Sequence, residues 1–237
     1  MTKSFKFKQF TVQQDRCAMK IGTDGVLLGA WASIKNNPQS ILDIGAGTGI
    51  IALQMAQRSL AENIDAIEID TNAFEQCVEN FENSPWGDRL FCYHAALDEF
   101  AKELDDTYDL IVSNPPFHSE KYKTPNSQRD TARFTDALPF DQLIDNVSSL
   151  LSEKGIFSVI IPKKAEAQFI ALALNVGLYP QRICHVYGTA KTEAKRSLIE
   201  FSFLEIKPEV STITIEIERH HYTNAYKNLV QDFYLKM

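Results

Sequence analysis

The sequence predicts an α/β fold, doubly wound around a mostly parallel seven-stranded sheet with an antiparallel hairpin at one edge. Three observations predict it. Between about residues 40 and 175, apolar strand-like runs alternate with segments of helical period, the pattern of right-handed crossovers around a parallel sheet. The central runs are continuously apolar, as strands covered on both faces are. A glycine-rich turn, "DIGAGTG" from Asp43 to Gly49, follows the first run and opens a helix. That places it at the carboxyl end of a strand, where such sheets bind ligands.

The elements follow in order. Residues 1–40 form an N-terminal extension whose "KIGTDGVLLGAWAS" predicts a helix from Gly25 to Ser33, with Asp24 as its cap. "SILDI" is the first core strand, and Ile51, Leu53, Met55 and Ala56 make one face of the helix after the glycine turn. "NIDAIEID" is the second strand; Asp70 caps a helix in which Phe74, Cys77, Val78 and Phe81 recur at three- and four-residue steps. "RLFCYHAAL" is the third strand, followed by a helix for which Asp98 is the candidate cap, and "YDLIVS" is the fourth. "FDQLIDNVSSLLSEKG" reads as a helix closed by Gly155, "IFSVIIP" as the fifth strand, and "KKAEAQFIALALNVG" as a helix closed by Gly177. "PQRICHVYG" and "KRSLIEFSFLEI" have no helix between them and so predict the edge hairpin. No repeat or linker divides residues 41–237, which read as one domain.

Bulk properties narrow the class. The 237 residues are 44% hydrophobic and 23% charged, an ordinary globular balance. No apolar run approaches the roughly 18 residues of a membrane span, and the charged start "MTKSFKFKQF" is no secretory signal. Cys17, Cys77, Cys92 and Cys184 are scattered without a C-x-x-C pair, which predicts reduced thiols, a cytoplasmic location and no metal. A net charge of −7 argues mildly against nucleic acid, but local basic clusters on an acidic protein still bind phosphates.

The chemistry concentrates in two places. Gly45, Gly47 and Gly49 let the backbone turn tightly and approach a ligand closely. Their spacing is one residue short of G-x-G-x-x-G, which disfavours a dinucleotide and a hydride-transferring dehydrogenase. Asp43 stands where it meets a positive group. An acid at the end of the second strand accepts from both ribose hydroxyls; Glu68 is preferred for that role, leaving Asp70 as the helix cap. The second place is "DLIVSNPPFHS". Pro115 and Pro116 stop the fourth strand and lock the backbone after Asn114. The Asn114 side-chain oxygen and the Pro115 carbonyl are then pre-set acceptors for the N–H bonds of a planar amine, and Phe117 is a ring on which a planar substrate stacks.

Asn114-Pro115-Pro116-Phe117 resembles motif IV of the amino-group methyltransferases that use S-adenosylmethionine, and "LDIGAGTG" resembles their motif I. With "FKFKQFTVQQDRCAMKIGTDGVLLGAWA" and the closing "DFYLK", nearly the whole chain is similar to the bacterial methyltransferases that modify N6 of adenine 37, beside the anticodon of a valine tRNA. The resemblance implies a Rossmann-like fold, S-adenosylmethionine as cofactor and the tRNA anticodon loop as partner. It also implies that Lys20, Thr23 and Asp24 of the N-terminal extension lie over the cofactor. Many relatives carry an acid after the third strand; here Ala96 stands at that place, so backbone amides near Ala96 and Leu97 are expected to meet the cofactor adenine. The segment from His118 to Ala137 begins at the catalytic motif and supplies Lys121, Lys123, Arg129 and Arg133 as candidate RNA contacts, which Lys3, Lys6 and Lys8 extend if the N-terminus folds back. Two other functions compete: a protein-glutamine N5-methyltransferase, which usually carries a larger N-terminal helical domain, and a non-catalytic cofactor-binding or interaction module.

Overall fold

A computed structural model describes residues 4–116 and 138–237. The chain opens with a small antiparallel pair, β1 (Ser4–Lys6) and β2 (Thr11–Gln13), followed by α1 (Thr23–Trp31). The core then alternates β3 (Ser40–Ile44), α2 (Ile50–Arg58), β4 (Asn63–Glu68), α3 (Thr71–Glu82), β5 (Leu90–His94), α4 (Leu97–Glu103) and β6 (Tyr108–Ser113). After the second described stretch begins come α5 (Phe140–Leu150), β7 (Leu151–Pro162), a short 3-10 turn (Lys163–Ala165), α6 (Glu166–Asn175), β8 (Tyr179–Thr189) and β9 (Ala194–Ser202). The chain closes with β10 (Glu209–Glu218), β11 (His221–Tyr222) and α7 (Asn224–Val230).

Among the described residues the sheet has nine strands, in the order β11-β10-β8-β9-β7-β6-β3-β4-β5. β3 to β7 are mutually parallel and β9 runs against them. The α/β class holds, with two corrections at the far edge. The β8–β9 hairpin forms, but β9 sits inside the sheet beside β7, and β10 and β11 continue past β8. "EVSTITIEIE" alternates polar and apolar residues on an exposed strand, a weaker signal than the continuous runs of the centre.

Both faces of the central strands β3, β4 and β6 are buried, so neighbouring residues serve opposite cores. Ile41, Leu110, Val112 and Ile160 join α1 and α2 on one face; Leu42, Ile44, Ile111, Val159 and Ile161 join α5 and α6 on the other. Residues of the N-terminal extension belong to the first core: Phe7, Phe10, Val12 and Val26 are all buried in it. The two ends of the chain also meet. Phe7 bridges to Tyr234, and the Lys8 N–H donates to the Phe233 carbonyl at 2.8 Å.

Three helices differ from expectation at their ends. α1 begins at Thr23 after Gly22, with no side-chain cap, so Asp24 lies inside its first turn and the helix stops at Trp31 rather than Ser33. Likewise α4 is entered from Ala96 without a side-chain cap, and Asp98 pairs with Lys102 instead. Gly155 closes no helix: α5 ends at Leu150 and β7 starts at once. A Cβ at Gly155 would lie 2.8 Å from Leu151 Cδ1 and 2.9 Å from the Tyr108 carbonyl, so glycine serves close strand approach there. Asp70 caps α3 as expected, accepting from the Ala73 N–H at 2.8 Å. Gly177, at φ +77, ends α6 with paired bonds from the Gly177 N–H to Leu174 and from the Leu178 N–H to Ala173.

Candidate active site

Strand order reverses between β3 and β6: the chain steps outward through β4 and β5, then returns beside β3 and continues to β7. Loops diverge at such a point and leave a crevice at the carboxyl ends of the strands. The glycine turn leaves β3 there and Asn114 leaves β6, with Ile44 paired to Ser113 one residue before each. The Ser113 hydroxyl donates to the Ile44 carbonyl at 3.0 Å and fixes that register. Glu68 ends β4 next door, and Ala96 and Leu97 follow β5. The fold thus gathers the predicted residues of four strands on one edge.

Gly45, Gly47 and Gly49 all have positive φ, at 74°, 56° and 76°. Nothing lies within 4 Å of a Cβ built on Gly45 or Gly47, so the space above the turn is open. Gly49 differs, because its Cβ would meet Phe81 Cε1 at 2.5 Å and Cys77 Sγ at 2.9 Å. We expect Gly49→Ala to destabilise the fold by about 2–5 kcal/mol, the sum of left-handed strain and overpacking. Urea denaturation checks this, with Gly47→Ala expected to show the strain alone.

Two buried acceptors in the crevice lack a partner among the described residues: Asp43 Oδ1 and Asn114 Oδ1. Buried polar atoms are normally paired, and an exception calls for an explanation. Asp43 is fully buried, and its Oδ2 accepts from the Ala52 N–H at 3.0 Å. Burial pushes its carboxyl up to about 7, with the Glu68 charge adding to the rise and the Ala52 bond opposing it. Glu68 props the turn: Oε2 accepts from the Gly47 N–H at 2.8 Å and Oε1 from the Asp70 N–H at 2.9 Å. Each carboxylate oxygen retains a further lone-pair direction for a ligand hydroxyl. Pro115 is buried and Pro116 exposed.

A strap from Gln13 to Ile21 runs along α3, clasped by two buried amides of that helix. Asn80 accepts from the Gln13 N–H at 2.7 Å and donates to the carbonyls of Gln13 and Thr48, both at 2.9 Å. Gln76 accepts from the N–H groups of Arg16 and Cys17, at 2.9 and 3.2 Å. The strap is thereby tied to the glycine turn through Thr48 and lies close enough to Glu68 for that charge to help raise the Cys17 thiol to about 11, after burial as the larger cause. Sequence reasoning missed Gln76 and Asn80. Their signal was present: two amides four residues apart on the same stripe of α3 as Ala73, Cys77 and Phe81.

The remaining predicted residues fall as follows. Lys20 reaches back to the Gln14 and Cys17 carbonyls and locks the strap. Thr23 is exposed at the start of α1. Asp24 pairs with Arg196 Nε at 2.8 Å, tying α1 to the first residues of β9. Phe117, Lys121, Lys123, Arg129 and Arg133 lie outside the described residues. Among the described residues, no three His, Cys, Asp or Glu side chains are grouped to hold a metal.

The methyltransferase small domain family matches residues 25–175. Over 234 residues the chain is 62% identical to a tRNA1(Val) (adenine(37)-N6)-methyltransferase of Flavobacterium johnsoniae, spanning 98% of this chain and 100% of that one. The chain belongs to the tRNA1(Val) (adenine(37)-N6)-methyltransferase family. A member from Bacteroides fragilis is 45% identical over 98% of both chains. Among solved structures, a predicted O-methyltransferase from Agrobacterium tumefaciens superposes with a TM-score of 0.69 at 19% identity, over 89% of this chain and 96% of that one. A ribosomal protein L11 methylase from Lactobacillus delbrueckii superposes at 0.53 and 17% identity, over 75% and 76%. These two likenesses concern the fold, whereas the sequence identities carry the family.

Proposed function

We propose that this enzyme transfers a methyl group from S-adenosylmethionine to N6 of adenine 37 in a valine tRNA. The observation that carries the reading is the buried Asn114 oxygen, without a partner among the described residues, at the switch point one strand from an open glycine turn. The relatives' activity selects the substrate. The residues fit the cofactor. Gly45 and Gly47 leave a cradle, the Asp43 oxygen without a partner among the described residues suits a cationic group, Glu68 suits the ribose, and the amides near Ala96 and Leu97 suit the adenine. The strap from Gln13 to Ile21, with Lys20 in it and Thr23 and Asp24 just after it, then lies over that site. When bound, S-adenosylmethionine supplies an electrophilic methyl group.

The chain's own part is to make an aromatic amine nucleophilic. The N6 lone pair of adenine is delocalised into its ring. Asn114 Oδ1 and the Pro115 carbonyl accept the two N–H bonds and favour the pyramidal form, in which the lone pair is localised for attack. Fixed proline φ angles hold both acceptors before substrate arrives, so little reorganisation is needed. The proton leaves after positive charge has developed on nitrogen, so no strong base is required before attack. An adenine in an anticodon loop must be splayed out to reach this pocket, where Phe117 is placed by sequence to stack on it.

The test is mass spectrometry of nucleosides from an unmodified valine tRNA incubated with purified protein and S-adenosylmethionine. N6-methyladenosine at position 37 is expected. Its absence, together with methylation of a protein glutamine, would replace this reading by the glutamine one.

A further inference from the structure

A second concavity opens on the same edge of the sheet as Asn114. It is a groove of about 750 Å³ between β1, the start of α1, the carboxyl ends of β8 and β10, and the last residues of the chain. Its walls carry Phe5, Tyr222, Tyr226 and Tyr234. Tyr222 and Tyr226 stand 5.3 Å apart, and Tyr226 is buried behind the half-exposed Tyr222. Two exposed lysines, Lys6 and Lys236, flank the rings. A third, Lys195, reaches over Gly188 at the rim, within 3.9 Å of where a Cβ would stand. The acid of the wall, Glu216, accepts from the His220 N–H.

The groove borders the strap already described. Ile21, Gly22 and Thr23 line it where the strap runs into α1. The neighbouring Asp24 is paired with Arg196, whose partner across the sheet is Pro162 at the end of β7. From β6 to β10 is four strand steps, or about 19 Å at the usual spacing. That is within reach of an RNA loop whose adenine is held at Asn114.

We propose that this groove binds a second, unpaired nucleotide of the tRNA substrate: its base stacks on Tyr222 while Lys6, Lys195 and Lys236 meet the flanking phosphates. Two features combine here. Exposed aromatic faces with cations at their rim recognise single-stranded nucleic acid without needing a particular base. Lysines at that rim supply local positive charge on a chain of net charge −7. The proposal rests on the tRNA reading above and adds a site that catalysis does not use.

The test measures affinity for unmodified valine tRNA across a salt series. It compares wild type, Tyr222→Leu, Tyr222→Phe and the double variant Lys6→Ala/Lys236→Ala, with S-adenosylhomocysteine affinity as control. Tyr222→Leu is expected to weaken tRNA binding about tenfold, and Tyr222→Phe, which keeps the ring, to leave it unchanged. The lysine variant should lower the salt slope by about 0.7 for each phosphate it no longer neutralises. Cofactor affinity should hold throughout. Wild-type affinity and slope in both Tyr222→Leu and the lysine variant would overturn the groove while leaving the function standing. Failure of the wild type itself to bind or methylate the tRNA would overturn both.

Discussion

Asn114→Ala is expected to lower kcat for tRNA methylation by about a hundredfold or more while leaving the affinity for S-adenosylhomocysteine at its wild-type value. That is the scale of losing one pre-organised polar group aimed at developing charge. The side-chain oxygen is buried without a partner among the described residues, so no described hydrogen bond is lost with it. A buried acceptor left unsatisfied costs about 1–3 kcal/mol, which its removal relieves. Thermal stability should therefore hold or rise in the variant, which separates this residue from one that merely packs. Single-turnover kinetics, calorimetric titration with S-adenosylhomocysteine and a melting curve together check the prediction. Wild-type turnover in the variant would remove Asn114 from the mechanism.

Asp43→Asn is expected to weaken cofactor binding at pH 8 by about thirtyfold or more, the scale of about 2–5 kcal/mol for unpairing a buried charge. The sign of the pH dependence follows from burial. The Asp43 carboxyl is raised to about 7 in the folded chain, chiefly by that burial. The folded state therefore holds a proton that the unfolded chain has already lost between about pH 4 and 7, and stability falls across that window as pH rises. Replacing the carboxylate by an amide removes this penalty. The difference in melting temperature should thus shift in favour of the variant between pH 4 and pH 8. A cationic ligand beside Asp43 favours the ionised form, so wild-type affinity should rise with pH through about 7 and the variant's should not follow. Parallel calorimetry at pH 6 and 8 decides this. A pH-independent affinity in wild type would place the cation elsewhere.

The two motifs were legible because their chemistry is local. A glycine with positive φ and a proline with fixed φ declare backbone conformation in the sequence itself. The apolar runs of β3 to β7 were legible because burial on both faces leaves no polar alternation. The far edge was harder to read: β10 alternates weakly, β11 has two residues, and α7 has seven. Such short elements owe their stability to neighbours already in place.

By itself, the sequence determined the fold class, the placing of the glycine turn, Glu68 and Asn114 at the carboxyl ends of β3, β4 and β6, and the family. Only the tertiary structure decided what holds them. Asn80 meets Gln13 across 67 positions, and Arg196 meets Asp24 across 172. The groove joins Lys6 to Lys236 at opposite ends of the chain. No local propensity encodes such pairs. They exist because packing α1, α3 and α7 onto one face of the sheet brings those positions together, and each buried polar group must then find its partner from whatever that packing supplies.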